Sequence, residues 1–288
     1  MKKVTQKYTY KNIQNKSIIL LICYFGELPW YFRYFLHSCK YNLEIDFYLI
    51  TDNDLDEYNM PVNVFPIKKS LGDIKSIASK KFGFEVGLDH TYKFCDFRPA
   101  LAFLLPEYIR GYDFWGYGDI DVIYGDIRAF ITNKMLSAFD VISVRHDFLP
   151  GAFSLFRNSQ TINMLFKQSR DYVRVFKEPT HFCFDETNFT YDKFLENLPV
   201  DKIESEIESM THVVKRLHFQ KKINAYFDFL VLEGLPGKIK WDHGVLTYKN
   251  MFEAILYHLI KLKEIYTPKK IPKKIPDIFN ISTTRIYF

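Results

Sequence analysis

A chain of 288 residues that is 48% hydrophobic and 25% charged can bury a large core, which excludes a disordered segment or a disulfide-stapled miniprotein. Its 28 Phe and 20 Tyr suit a compact α/β or α+β body, and such ring faces also pack on the apolar faces of sugars. The formal net charge of +5 is local: Lys261, Lys263, Lys269, Lys270, Lys273 and Lys274, set against Glu264 alone, account for it, so the remainder is no nucleic-acid-binding surface.

The chain opens Met-Lys-Lys and stays polar to Ser17, and the apolar run Ile18 to Phe25 is too short for a membrane span or a signal peptide. A cytoplasmic protein is expected. Cys23, Cys39, Cys95 and Cys183 lack metal-ligand spacing and read as buried thiols of a reducing compartment. Residues 17–24 (SIILLICY) form a continuous apolar run, as in a strand covered on both faces. A helix over 30–40 and a second strand over 44–51 complete a βαβ unit, whose ligands belong at the strands' C-terminal ends. Pro99 starts a helix that runs to Ile109, followed by a strand over 112–117. A helix from Ile127, strands over 140–144 and 152–156, and a helical pattern over 161–176 come next. Trp241-Asp242-His243-Gly244 reads as a hairpin turn, and 251–265 as an amphipathic helix ahead of an extended lysine-proline tail. The expected organisation is one domain over 1–250, with a nucleotide-sugar half (17–125) and an acceptor half (126–250), then a helix and basic tail over 251–288.

The main chemical signal is Trp115-Gly116-Tyr117-Gly118-Asp119-Ile120-Asp121. Two carboxylates on a tight turn after a buried strand can approach one cation, and hard oxygen ligands suit Mg²⁺ or Mn²⁺. Gly116 and Gly118 would let the backbone come close to a ligand. The competing reading is an acidic surface turn. A second candidate is Asp185-Glu186, adjacent acids in an aromatic stretch, where partial burial would suit a general base. A helix N-terminus explains such acids equally well. No GxGxxG, P-loop or GxSxG pattern occurs, which sets aside dinucleotide oxidoreductases, P-loop kinases and serine hydrolases.

The stretch Tyr92 to Pro99 (YKFCDFRP), then Tyr112 to Asp126 around the Trp-Gly-Tyr-Gly-Asp-Ile-Asp core, resembles a bacterial GT-A glycosyltransferase family linked to capsule and O-antigen synthesis. Ile19 to Asp52 and His218-Phe219-Gln220-Lys221-Lys222 are also similar, so the resemblance covers about 17–250. It implies an α/β GT-A fold with a Rossmann-like, mostly parallel sheet, flanking helices and a C-terminal helical extension. It further implies a hexosyltransferase with a nucleotide-diphosphate-sugar donor, usually a UDP-sugar, and a growing, lipid-linked glycan acceptor. Asp119, Asp121 and His218 become the ligands of Mn²⁺ or Mg²⁺, with His243 a rival to His218. Lys221 or Lys222 meets the diphosphate, and Tyr24, Phe25, Gly26 and Asp52 receive the nucleotide. Lys93, Asp96 and Arg98 orient diphosphate and sugar, and Gly118 and Ile120 lie against the donor. Gly151, Ala152 and Phe153 sit in an acceptor-side loop. Core packing is the other reading of Tyr24, and a surface ion pair that of Lys93 and Asp96. The competing functions are a sugar-phosphate nucleotidyltransferase and a carbohydrate-binding scaffold at the inner membrane face. The C-terminal lysines are expected to meet anionic lipid at that face.

Overall fold

The computed structural model describes residues 15–196 and 198–288, so the Met-Lys-Lys opening and the start of the expected 1–250 unit lie outside the described residues. Strands β1 (Ile18–Tyr24), β2 (Ile45–Thr51) and β3 (Val64–Lys68) run parallel, and β4 (Phe114–Gly118) joins the free side of β1, also parallel. After β5 (Val122–Tyr124) turns away, β6 (Val141–Ser143), β7 (Phe153–Arg157) and β8 (Ala225–Phe227) complete a seven-stranded sheet. Its order is β3-β2-β1-β4-β7-β6-β8, and β7 alone runs against its neighbours. The chain leaves β1 toward β2 and returns on the other side at β4. That reversal opens a crevice at the C-terminal ends of β1 and β4, the usual place for a ligand in such a sheet.

The expected α/β class and mostly parallel sheet are therefore present. Alternation along β1 divides the core: Ile18, Leu20 and Ile22 pack on one side with Phe35, Phe47 and Trp241, while Ile19 and Leu21 pack on the other with Phe97, Trp115 and Phe176. Helix α1 (Phe32–Cys39) buries Phe32, Phe35, Leu36 and Cys39, one stripe at helical spacing. Helix α2 (Leu71–Phe82), absent from the sequence reading, carries clear local signals: Ser70 and Asp73 form a reciprocal capping box, and Gly83 closes the helix at φ 75°.

Several expected elements are shorter or different. The helix over 99–109 is instead a 3₁₀ segment, Thr91–Ala100, continued by Leu101–Leu104. The pattern over 161–176 breaks into Gln160–Asn163, Leu165–Gln168 and Tyr172–Lys177. The larger correction lies at the C-terminus. After β9 (Val231–Leu232), β10 (Ile239–Asp242) and β11 (Val245–Tyr248), the expected helix over 251–265 is β12 (Phe252–Glu253), β13 (Leu256–His258) and one helical turn, Leu262–Ile265. Leu256 and Tyr257 are buried, and β13 pairs with both β5 and β9. Residues Ala254 to Leu259 form an apolar run that suits a buried strand better than an amphipathic helix. The tail also returns, since β14 (Ile278–Ile281) pairs with β10 and with β15 (Ile286–Tyr287). The hairpin at Trp241–Gly244 is as expected: His243 (φ 49°) and Gly244 (φ 92°) both take the left-handed conformation that a two-residue turn favours. Among the described residues no helix is long and apolar enough to cross a membrane.

Gly116 and Gly118 face neighbouring strands. A Cβ at Gly116 would stand 2.6 Å from Leu155 Cδ2 and 2.8 Å from Leu20 Cδ2, and one at Gly118 would stand 2.8 Å from the Ala152 carbonyl. Both glycines let β4 lie close against β1 and β7. Gly116→Ala is therefore expected to cost about 1–3 kcal/mol or more through overpacking. Gly72→Ala, in α2 with only Ser70 Oγ nearby at 3.7 Å, should be stabilising by roughly 0.5–1 kcal/mol. Urea unfolding of both variants checks the pair, and a neutral Gly116→Ala would refute the packing account.

Candidate active site

The crevice at the ends of β1 and β4 is a cavity of about 420 Å³. At one end Asp119 follows β4 directly and Asp121 precedes β5. Antiparallel pairing of β5 with β13 sets His258 opposite Val122, and Leu259 N–H donates to the Asp121 carbonyl at 2.8 Å. Asp119, Asp121 and His258 consequently present ligand atoms within 4.8 Å of one another. His258 Nε2 lies 3.4 Å from Asp121 Oδ2, while its Nδ1 lies 3.2 Å from Glu233 Oε1. Lys263 Nζ donates to Asp121 Oδ2 at 2.5 Å. Burial pushes the Asp121 carboxyl up, but His258 and Lys263 outweigh it and hold the group well below the usual carboxylate range. Burial would discharge His258, yet Asp121 and Glu233 raise it to about 10. Glu233 also pairs with Arg145, which grips Asp147 through Nε at 2.9 Å and Nη2 at 2.6 Å. A chain of alternating charge thus leads from Asp147 to Lys263.

Arg98 occupies the middle of the cavity. Its guanidinium pairs with Asp119 through Nη2 and with Asp185 Oδ2 through Nη1 at 3.0 Å. Burial drives both carboxyls up, and Arg98 opposes it. Gly151 backs onto this group: a Cβ there would run into Arg98 Nη1 and stand 3.0 Å from Asp185 Oδ2. Glu186 accepts from Gly151 N–H at 2.5 Å and from the Tyr191 hydroxyl. Asp185 is buried and neutralised by Arg98, whereas Glu186 is half-buried and faces the cavity. Both acids line the cavity, and Glu186 is the more exposed of the two.

Of the residues expected on the donor side, Tyr24, Phe25, Arg98 and Ile120 line the cavity. Gly26 (φ 106°) and Asp52 lie just outside it, where Gly26 N–H reaches Asp52 Oδ1 at 3.4 Å and Asn53 Nδ2 donates to the Gly26 carbonyl at 2.7 Å. Lys93 and Asp96 are fully buried and form no surface pair. Lys93 Nζ donates to Asp96 at 2.9 Å and to the carbonyls of Val175 and Thr180, both at 2.6 Å. Asp96 accepts from Phe182 N–H at 2.8 Å and Phe184 N–H at 2.7 Å. The pair clamps the segment that carries Asp185 and Glu186, and neither side chain lines the cavity. Ala152, in the turn before β7, and Phe153, in β7, are buried and do not line the cavity.

His218 is corrected as a ligand. It ends the helix Met210–Phe219, where its Nδ1 accepts from Ala225 N–H at 3.1 Å. Neither His218 nor the exposed Lys221 and Lys222 lines the cavity. His243 is occupied by Asp242, 2.7 Å away in the hairpin turn. The histidine and lysine beside the carboxylates are His258 and Lys263, which were hidden by reading their segment as a helix. Cys23, Cys95 and Cys183 line the cavity, the first two only half-buried rather than fully enclosed. Burial pushes the thiols up, Cys183 to about 12, so they stay protonated and unreactive.

The clamp is testable by itself. Lys93→Met leaves Asp96 without its buried cation, which is expected to destabilise the fold by about 3–5 kcal/mol. Urea unfolding checks this, and a cost below about 1 kcal/mol, the range of a surface pair, would contradict a buried clamp.

No curated protein matches the chain in sequence. Among solved structures, the chain is similar to the glycosyltransferase GlyE of Streptococcus pneumoniae TIGR4 at 12% identity and a TM-score of 0.37, covering 74% of this chain and 45% of that one. It therefore spans less than half the length of the pneumococcal protein. It is also similar to mouse xyloside xylosyltransferase 1 in its apo form at 10% identity and a TM-score of 0.43, covering 84% of this chain and 96% of that one. Likeness at this level carries no activity across. Residues 20–287 match the family described as "Family of unknown function (DUF6625)", and the chain belongs to that family.

Proposed function

We propose that the chain is a divalent-metal-dependent glycosyltransferase that takes a sugar from a nucleotide-diphosphate donor, a UDP-hexose in the first instance, and passes it to a glycan. The observation that carries this reading is the convergence of Asp119, Asp121 and His258 at the sheet's crevice. Two carboxylate oxygens and one imidazole nitrogen are a donor set that fits Mn²⁺ or Mg²⁺. Asp119, Asp121 and His258 would hold the ion, which would displace the proton from Nε2 of His258 while Nδ1 stays engaged by Glu233. Such an ion neutralises charge on a departing nucleoside diphosphate.

The chain's own residues supply the rest. Lys263, which shares Oδ2 of Asp121 with His258, would be the cation for a diphosphate. Tyr24 and Tyr31 offer rings beside it for the nucleotide. Arg98 holds Asp119 and Asp185 in fixed relation, so the metal corner and the sugar end keep one geometry. Glu186, fixed by Gly151 N–H and Tyr191, faces the cavity as the carboxylate for an acceptor hydroxyl or for the sugar itself. In an inverting reaction it takes the acceptor's proton as the new glycosidic bond forms.

Calorimetry of Mn²⁺ and UDP binding tests the assignment. Asp121→Asn is expected to abolish metal-dependent UDP binding, whereas His218→Ala leaves it unchanged. Glu233→Gln should weaken Mn²⁺ by about 10–100-fold through its hold on His258. Equal UDP affinity with and without chelator would exclude a metal-dependent transferase. A chain that condenses a sugar phosphate with a nucleoside triphosphate, releasing pyrophosphate, would be a nucleotidyltransferase instead.

A lipid-linked acceptor would place the enzyme at an anionic membrane face. Lys269, Lys270, Lys273 and Lys274 are all exposed on the stretch before β14, and each contributes on the order of 1 kcal/mol near such a surface. Changing all four to Gln should release the protein from phosphatidylserine vesicles at low salt. Undiminished co-sedimentation of that variant would remove the membrane from this reading.

A further inference from the structure

The cavity has two unlike ends. Tyr24, Tyr31, His258 and Lys263 surround Asp121, whereas Tyr92, His181, Cys183 and Tyr191 surround Glu186. The rim at the second end carries rings in solvent: Tyr92 is 66% and Phe189 58% exposed. His181 stands between them, with ring centroids 4.5 Å from Tyr92 and 5.5 Å from Phe189, both edge-on. Its Nε2 is buried and faces the interior carboxylate Asp96, 3.7 Å from Oδ1, so the ring meets the rim through its carbon edge.

The exposure of Phe189 is built in. Cys183 (φ 52°), Asn188 (φ 55°) and Phe189 (φ 61°) all take the left-handed conformation, which side chains larger than glycine seldom adopt. Asp96 pins this loop through the amides of Phe182 and Phe184. Asn188 fastens it further, donating to the Phe182 carbonyl at 2.9 Å and accepting from Ile207 N–H at 3.2 Å. A backbone held so firmly in an unfavourable conformation to keep a phenyl ring in water marks a functional surface. The residues expected to face an acceptor cannot do so, because Ala152 and Phe153 are buried and Gly151 is wedged behind Arg98, Asp185 and Glu186.

We propose that Tyr92, His181 and Phe189 form the acceptor subsite and bind a pyranose ring next to Glu186. A pyranose has an apolar C–H face and a rim of hydroxyls. The rings of Tyr92 and Phe189 cover the face, with His181 packed edge-on between them, and Glu186 takes a hydroxyl. The assignment rests on the transferase reading of the cavity, but its test does not depend on turnover.

Saturation-transfer NMR with methyl glucoside, methyl galactoside, methyl N-acetylglucosaminide and octyl glucoside reads the rim directly. Transfer to pyranose ring protons is expected. Tyr92→Ala and Phe189→Ala should each weaken the bound methyl glycoside at least about fivefold, with Tyr92→Phe near wild type. Mn²⁺–UDP affinity should stay unchanged in all three variants. Absence of transfer to every methyl glycoside, or equal binding by both alanine variants, overturns the subsite. Transfer confined to the octyl chain also overturns it, by assigning the rim to lipid. Pyranoside binding at the rim in a protein that fails to bind Mn²⁺–UDP would refute the transferase reading while leaving the sugar site in place.

Discussion

The site depends on one guanidinium. Arg98 comes from the 3₁₀ segment before β4, yet its two arms reach Asp119 at the end of β4 and Asp185 on a loop far along the chain. It is nearly enclosed, so each ion pair acts with little screening by water. Leaving either acid without it would bury an uncompensated charge, a larger penalty than losing a surface bridge. Gly151 follows from the same constraint, because any side chain there would collide with Arg98. The position of Asp185 relative to Asp119 follows from that placement.

Around Arg98 the charges are arranged in two kinds. Lys93 and Asp96 lie wholly in the interior and hold backbone, fixing the 180–184 segment through three hydrogen bonds, to the Thr180 carbonyl and from the Phe182 and Phe184 amides. Asp121, His258, Lys263 and Glu233 lie at the cavity wall and neutralise one another in a chain. The first set makes the second precise, since a carboxylate that must meet a ligand is only as well placed as the loop behind it. The same loop carries the left-handed residues that keep Phe189 in solvent, so rigidity and exposure at the rim have one source.

Local chemistry was legible wherever it was decided by near neighbours. The continuous apolar run of β1, the Asp-x-Asp turn after β4 and the His243-Gly244 hairpin each follow from a few adjacent residues, and the structure has all three. The capping box at Ser70 and Asp73 that starts α2 is equally local. Asp119, Asp121, Arg98, Asp185 and Glu186 were all identifiable as chemical residues before any fold was known, although not their partners.

By itself the sequence determined the α/β class, the strand that ends in two carboxylates and the acids of the Asp185-Glu186 pair, because alternation, apolar runs and turn residues act over short range. Only the tertiary structure decided which histidine and lysine join Asp121. His258 and Lys263 come from a stretch whose leucines fit a helix stripe as well as a buried strand, and pairing with β5 and β9 chose the strand. Only it decided that Lys93 and Asp96 are interior clamps and not surface ligands, since burial depends on what packs over a residue from elsewhere in the chain. Gly116 and Gly118 show the same limit: the sequence demanded a close approach there, and the fold decided that what approaches is another strand.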